Sequence, residues 1–168
     1  NYGFEELRLS LITATCYPHN KRSQKVLKKN GFIYEGTLHQ AELTYNGNIY
    51  DHQCYYLPGI SQPTPEDYDE ILHVWEMSVR HTHDFLTEEH IQFYKPLVRK
   101  HYLPAVVLFV IRNANGKIAA FMGLSDELIE MLFVHPDEQG KGYGKRLMEY
   151  ARDKKHMDKV DVNEQNEK

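Results

Sequence analysis

No apolar run in the sequence is long enough to cross a bilayer. The longest, Ala105 to Ile111, has the length of a strand and falls far short of the roughly 20 residues a spanning helix needs. The N-terminus shows no signal-peptide pattern, so no membrane partner and a cytoplasmic location are expected. Cysteine is scarce: Cys16 and Cys54 are the only two, they fall outside any disulfide framework or zinc spacing, and they read as reduced and structural. Positive charge is not in excess either. With 20 Lys and Arg against 24 Asp and Glu the net charge is -4, which argues against binding by bulk electrostatics, so no nucleic-acid partner is expected. Low-complexity tracts are missing. What is present is 168 residues, 41% hydrophobic and 26% charged, the composition of an ordinary globular protein with length for one well-buried domain and little for two.

Punctuation along the chain sets out the elements. "NYGFEELRLS" reads like the late turns of a helix without its beginning, and "LITATC" like a strand. "NKRSQKVLKKNGF" predicts a helix that Asn30-Gly31 ends. "IYEGTLHQAELTY" and "NIYDHQCYYL" flank Asn46-Gly47, which predicts a β-hairpin. Its tyrosines, Tyr45, Tyr50, Tyr55 and Tyr56, are read as cross-strand packing. Pro58-Gly59 and Pro63 mark a connector. Thr64-Pro65 then opens a helix with Tyr68, Ile71, Leu72, Trp75 and Val79 at helical spacing, and a second helix is expected from after Thr87 to near Pro96. Strands "AVVLFVI", "KIAAFMGL" and "LIEMLFV" follow, then the helix "KRLMEYARDKK" and a last strand "KVDVN".

Between the strand "LIEMLFV" and that helix stands "EQGKGYGKRL", with glycines at 140, 142 and 144. The spacing fails the dinucleotide fingerprint, and the P-loop pattern fails because Arg146 follows Gly144-Lys145 and Gln139 occupies the first glycine position. Bare amides at a helix start can nevertheless hold a pyrophosphate where no Cβ blocks the approach. A glycine-rich turn with no ligand is the plain alternative.

Gln139-Gly140-Lys141-Gly142-Tyr143-Gly144, preceded by "MLFVHPDE", resembles the acetyl-CoA loop of the GNAT superfamily of N-acetyltransferases, Arg/Gln-x-x-Gly-x-Gly/Ala. "VWEMSVRHTHDFL", "IEMLFVHP" and "VDVNEQNEK" make residues 60 to 168 similar to the small bacterial YjaB-like group of that superfamily, whereas "CYPHNKRSQKVLKKNGFIYEGTLHQAEL" resembles the C-terminal part of the RimJ/RimL-like group. The resemblance implies an α/β (α+β) GNAT fold, a mixed, mostly antiparallel sheet flanked by helices, with its elements in permuted order. Residues 1–57 would be the C-terminal segment of one module, 58–63 a linker, and 64–168 the N-terminal and middle segment of another. A slice through a tandem acetyltransferase is the expectation, packing with the rest of a tandem protein or exchanging halves in a homodimer, because a connector this short spans a sheet only when fully extended.

The resemblance also implies the chemistry: transfer of an acetyl group from acetyl-CoA to a primary amine. The alternative is a weak or inactive module that binds CoA or serves as an interaction domain. Glu130 stands near where several family members keep a base carboxylate. Leu132, Phe133 and Val134 would hold the pantetheine, and Gln139, Gly140, Lys141, Gly142, Tyr143, Gly144, Lys145 and Asn166 would complete the cofactor site. Arg80, His83, Asp84 and Phe85 fall where the family's acceptor wall forms; a polar helix end whose histidines cap carbonyls is the equal alternative. The YjaB-like group keeps a Tyr as acid on the helix after the Asn that matches Asn166, and Leu27 is the matching residue of the first segment. His81, His83 and His90 lack a ligand set's spacing, and no metal is expected.

Overall fold

The computed structural model of the protein describes residues 2–7, 9–83, 86–126, 128–156 and 159–160. The chain divides into two units, Asn1–Gly59 and Ile60–Lys168.

In the first unit a short helix, α1 (Tyr2–Glu5), precedes strand β1 (Leu11–Cys16), helix α2 (Lys21–Lys29) and the long hairpin of β2 (Ile33–Leu43) and β3 (Ile49–Pro58). The Asn20 side chain accepts the Ser23 amide at 3.1 Å and starts α2, and Gly31, at φ 80°, follows its end. The three strands lie in the order β1-β3-β2, all antiparallel. Around Asn46-Gly47 the hairpin closes through the Thr44 amide on the Asn48 carbonyl at 2.9 Å, with Gly47 at φ 82°. Tyr55 and Tyr56 are buried and Tyr50 packs 5.3 Å from the ring of Tyr17, as cross-strand packing requires. Tyr45 departs from that expectation: it stands at the hairpin tip, beyond the last strand pair Leu43–Ile49, and is fully exposed.

The second unit opens with β4 (Ile60–Ser61), a strand inside the segment expected to be a plain linker: Ile60 and Ser61 pair with Ile111 and Val110. An edge strand needs only a few free amides opposite it, which composition does not reveal. A 3-10 turn at Pro65–Asp67 leads into α3 (Tyr68–Thr82). There the Asp67 carboxylate accepts the Thr64 amide at 2.9 Å and binds Arg112 at 2.7 Å; the amide and then the arginine hold that carboxyl below its usual range. Helix α4 (Glu88–Leu97) begins at Thr87, whose hydroxyl faces the His90 amide at 3.4 Å. It ends at Leu97, one residue past Pro96, as the sequence predicts. The chain continues through a wider π turn, Val98–Tyr102, where the Leu103 amide reaches back to Val98, into α5 (Leu103–Ala105).

Strands β5 (Val107–Arg112), β6 (Ile118–Leu124), β7 (Leu128–Val134) and β8 (Lys159–Val160), with α6 (Tyr143–Lys155) between the last two, complete the unit. The sheet order is β4-β5-β6-β7-β8, antiparallel except for the parallel β7–β8 pair. All of β6 is buried, because both sheet faces are covered. Leu108, Val110 and Phe121 pack with Ile71, Trp75 and Val79 of α3, whereas Phe109, turned the other way, meets Tyr150 of α6 at 5.1 Å. Among the described residues no helix is long and apolar enough to cross a membrane. The mixed, mostly antiparallel sheet flanked by helices is the fold class the sequence implies.

Candidate active site

The site begins with an irregularity in β7. Opposite β6, Leu124 pairs with Ile129 and Gly123 with Met131, so Glu130 is one residue too many on its strand. Such a bulge turns two consecutive side chains to one side, against the alternation of a regular strand. Glu130 and Met131 accordingly line the same cleft, with Phe133 two residues on. Gly123 accommodates the distortion from the other strand. A Cβ there would lie 2.7 Å from a Val106 methyl and 3.4 Å from the Met131 Cβ. Gly123→Ala is therefore expected to destabilise the protein by about 1–3 kcal/mol, the usual cost of overpacking, measured as a lower midpoint in chemical denaturation.

The cleft has a volume of about 530 Å³. Trp75, Tyr94, Tyr102 and Phe133 give it an aromatic wall, and Ser125 and Glu130 give it polar groups. The Ser125 hydroxyl donates to Glu130 Oε1 at 2.7 Å. Aromatic faces beside a carboxylate suit a cation on an apolar stem, the form in which an alkylamine arrives at neutral pH.

Of the residues expected at an acceptor wall, Asp84 and Phe85 lie outside the described residues, and the other two have partners. Arg80 binds Glu76 at 2.8 Å and Glu88, with its second contact to Glu88 at 2.8 Å, which ties α3 to the start of α4. Arg80 and then Gln92 hold the Glu88 carboxyl down to about 2. His83 ends α3 with its Nδ1 2.8 Å from the Thr82 hydroxyl, and burial pushes its pKa down. Neither lines the cleft. Tyr94 and Tyr102 are aromatic residues on polar segments, which no sequence spacing singles out, and Trp75 belongs to the core as well as to the cleft.

Beyond the bulge, Leu132, Phe133 and Val134 pair with Met122, Phe121 and Ala120 on one edge. On the other, β8 meets β7 only at Leu128 and Ile129 among the described residues. A 3-10 turn, Pro136–Glu138, then leads to the glycine loop. Gly140 and Gly142 are left-handed, at φ 75° and 84°, and a Cβ on either would meet nothing within 4 Å. Gly142 is the N-cap of α6 and offers no side chain to the orphan amides of the first turn. That turn also lacks acidic residues, whereas α3 has Asp69 and Glu70 and α4 has Glu88 and Glu89. The α6 start is thus open space lined by amides at the positive end of a helix dipole, a cradle that fits a pyrophosphate.

Individual loop residues differ in what they offer. Glu138 accepts Asn113 Nδ2 at 2.8 Å and Lys141 Nζ at 2.6 Å, so it braces the loop against the β5–β6 turn. Lys145 lies 3.8 Å from Glu149 and is largely exposed. Gln139 precedes the glycines in extended conformation. The Tyr143 side chain is buried in the core at 1% exposure, and its backbone begins α6 beside the loop. A Cβ on Gly144 would make only an ordinary contact, 3.5 Å from a Val134 methyl. Asn166 lies outside the described residues.

Comparison with known proteins agrees with this geometry. Residues 104–168 match the acetyltransferase (GNAT) domain family, and residues 1–33 match a second acetyltransferase (GNAT) domain family. The peptidyl-lysine N-acetyltransferase YjaB of Escherichia coli is 38% identical over 102 residues, 61% of this chain and 69% of that protein. Its Salmonella typhimurium counterpart is 35% identical over 101 residues, covering 60% and 69%. The solution structure of apo-form YjaB from Escherichia coli superposes with a TM-score of 0.58 at 36% identity, over 65% of this chain and 74% of that one. The PaiA N-acetyltransferase of Thermoplasma acidophilum, solved in complex with coenzyme A, shares the fold at 18% identity, with a TM-score of 0.55 over 64% and 80%. With a bulged strand, a glycine cradle at the following helix and relatives at this level of identity, the chain belongs to the GNAT family of acetyltransferases, whose cosubstrate is acetyl-CoA.

Proposed function

We propose that the Ile60–Lys168 unit acetylates the ε-amine of a lysine side chain in a peptide, with Glu130 as the base. The observation that carries this reading is the bulge, which brings a carboxylate onto the aromatic cleft immediately before the strand segment that leads to the cradle. Acetyl-CoA supplies the acetyl group as a thioester. The amides of the Gly142 to Lys145 turn receive its pyrophosphate, and the β7 backbone at Leu132, Phe133 and Val134 aligns its pantetheine. Trp75, Tyr94 and Tyr102 exclude water around the lysine stem, and Glu130 takes the ammonium proton. A peptidyl lysine is favoured by the similarity to relatives named as peptidyl-lysine N-acetyltransferases and by a wall suited to a cation on an alkyl chain.

Residues 1–57 and 64–168 are read as segments of two different modules, a reading supported by separate matches to two GNAT domain families. The direct test is turnover of acetyl-CoA with a panel of lysine peptides, free polyamines and peptides blocked at lysine. Acetylation confined to peptides with a free lysine is the expected result. Tight acetyl-CoA binding without turnover on any amine would overturn the enzymatic reading and leave a CoA-binding module.

A further inference from the structure

We propose that Ser125 is a positioning residue for Glu130, an inference that rests on reading Glu130 as the base. Three features of the chain converge on this pair. Ser125 follows the last residue of β6 and closes a tight turn, its amide on the Leu128 carbonyl at 3.0 Å and the Leu128 amide on its own carbonyl at 3.4 Å. The turn fixes the serine backbone five residues before Glu130. The bulge then swings Glu130 onto the face where that serine stands, since in a regular strand it would point with Leu132 and away from Met131. Finally, the hydroxyl donates to Oε1 at 2.7 Å, and both residues line the cleft.

An exposed glutamate samples several rotamers, and only some present an oxygen to the cleft. A single donor on Oε1 selects one of them and leaves Oε2 with its lone pairs toward the cleft. In the reaction the ammonium proton passes to Oε2 as the amine nitrogen bonds to the thioester carbonyl carbon. The adduct nitrogen gives its second proton to water as the carbon–sulfur bond breaks, and sulfur leaves with its electron pair and takes a proton from water. Glu130 returns its proton to solvent. Ser125 touches none of the reacting atoms in this scheme; it acts through the carboxylate, and its effect falls on how often Oε2 is in place.

The test uses the full chain and two kinds of readout. In the ligand-free protein, NMR coupling constants of the Glu130 side chain report its rotamers: one dominates in the parent and in Ser125→Thr, which keeps the hydroxyl, and averaging appears in Ser125→Ala. In turnover of acetyl-CoA with a lysine peptide, Ser125→Ala is expected to lower kcat about 5- to 10-fold, the net worth of one solvent-exposed hydrogen bond, with the KM for acetyl-CoA unchanged and Ser125→Thr near the parent. On a Glu130→Gln background the same serine change is expected to cost little further.

The outcomes separate the two readings. If Glu130→Gln leaves turnover intact, the base is wrong and the serine has nothing to position. If Glu130→Gln abolishes turnover while Ser125→Ala changes neither kcat nor the rotamer distribution, the base stands and the positioning role is overturned. A Ser125→Ala loss that is fully additive with Glu130→Gln also overturns it, since the serine then acts elsewhere. Even where no amine is turned over, a Glu130 rotamer distribution unchanged by Ser125→Ala overturns the positioning role.

Discussion

A Gly142→Val variant is expected to fold as the parent does and to lose acetyl-CoA, with affinity down at least about 100-fold, about 2.7 kcal/mol. Gly142 sits at φ 84° and ψ 10°, a left-handed conformation that costs an L-residue about 1–2 kcal/mol and a β-branched one more. The chain can relieve that strain only by turning the peptide plane before α6, which takes its amide out of the cradle. Were the strain borne instead, the isopropyl group would fill the open space that the cradle offers, since nothing of the protein now stands within 4 Å of a Cβ there. Either response damages the same site. Because the position is exposed, the core should be untouched: far-ultraviolet circular dichroism stays close to the parent and the denaturation midpoint falls only by the local backbone strain, while calorimetric titration with acetyl-CoA loses its signal. Gly144→Ala is the internal contrast, because its Cβ makes only an ordinary contact with Val134. A folded Gly142→Val protein with parental affinity would remove the cradle from the site.

The features that sequence conveys well are those decided within a few residues. Asn20, Thr64 and Thr87 begin helices, Gly31 follows the end of one, and Asn46-Gly47 closes a hairpin, because a cap or a turn depends only on its own dihedrals and nearest amides. The loop at 139–144 belongs with them: left-handed glycines before a helix are a local pattern with a local consequence. The bulge at Glu130 is different in kind, since it is a mismatch between two strands and neither shows it alone. The family resemblance pointed to that strand, but only the register identifies Glu130 as the extra residue. Partner choice escapes in the same way. Arg80 reads as an open cation beside histidines, yet Glu76 on its own helix and Glu88 on the next neutralise it. Tyr143, within a motif of solvent-facing residues, points into the core because it is the first turn of an amphipathic helix and its phenol ring has apolar surface to bury. The cleft wall combines Trp75 of α3, Tyr94 of α4 and Tyr102 of the π turn, and only the packing of the helices on the sheet makes them neighbours.

Glu130→Gln is expected to lower kcat on a lysine peptide by about 100- to 10,000-fold at neutral pH, the span usual for loss of a general base, without loss of acetyl-CoA affinity. Glutamine retains the shape of the side chain and an oxygen to accept the Ser125 hydroxyl, so the change removes proton affinity and little else. A bound on the effect follows from the acceptor. With a pKa near 10.4, only about one lysine in 2,500 carries an unprotonated ε-amine at pH 7, and a protein without a base must wait for that fraction. The residual rate of the variant is therefore expected to rise about tenfold per pH unit, so that by pH 9 it has climbed about 100-fold, whereas the parent changes far less over the same interval. A base that merely supported the fold would not impose that slope. Steady-state kinetics from pH 6.5 to 9.5, with acetyl-CoA saturating, distinguish the cases: a Glu130→Gln protein with the parental rate and the parental pH dependence would show that the proton leaves by another route, and the carboxylate on the bulge would then be an electrostatic feature of the acceptor cleft and not its base.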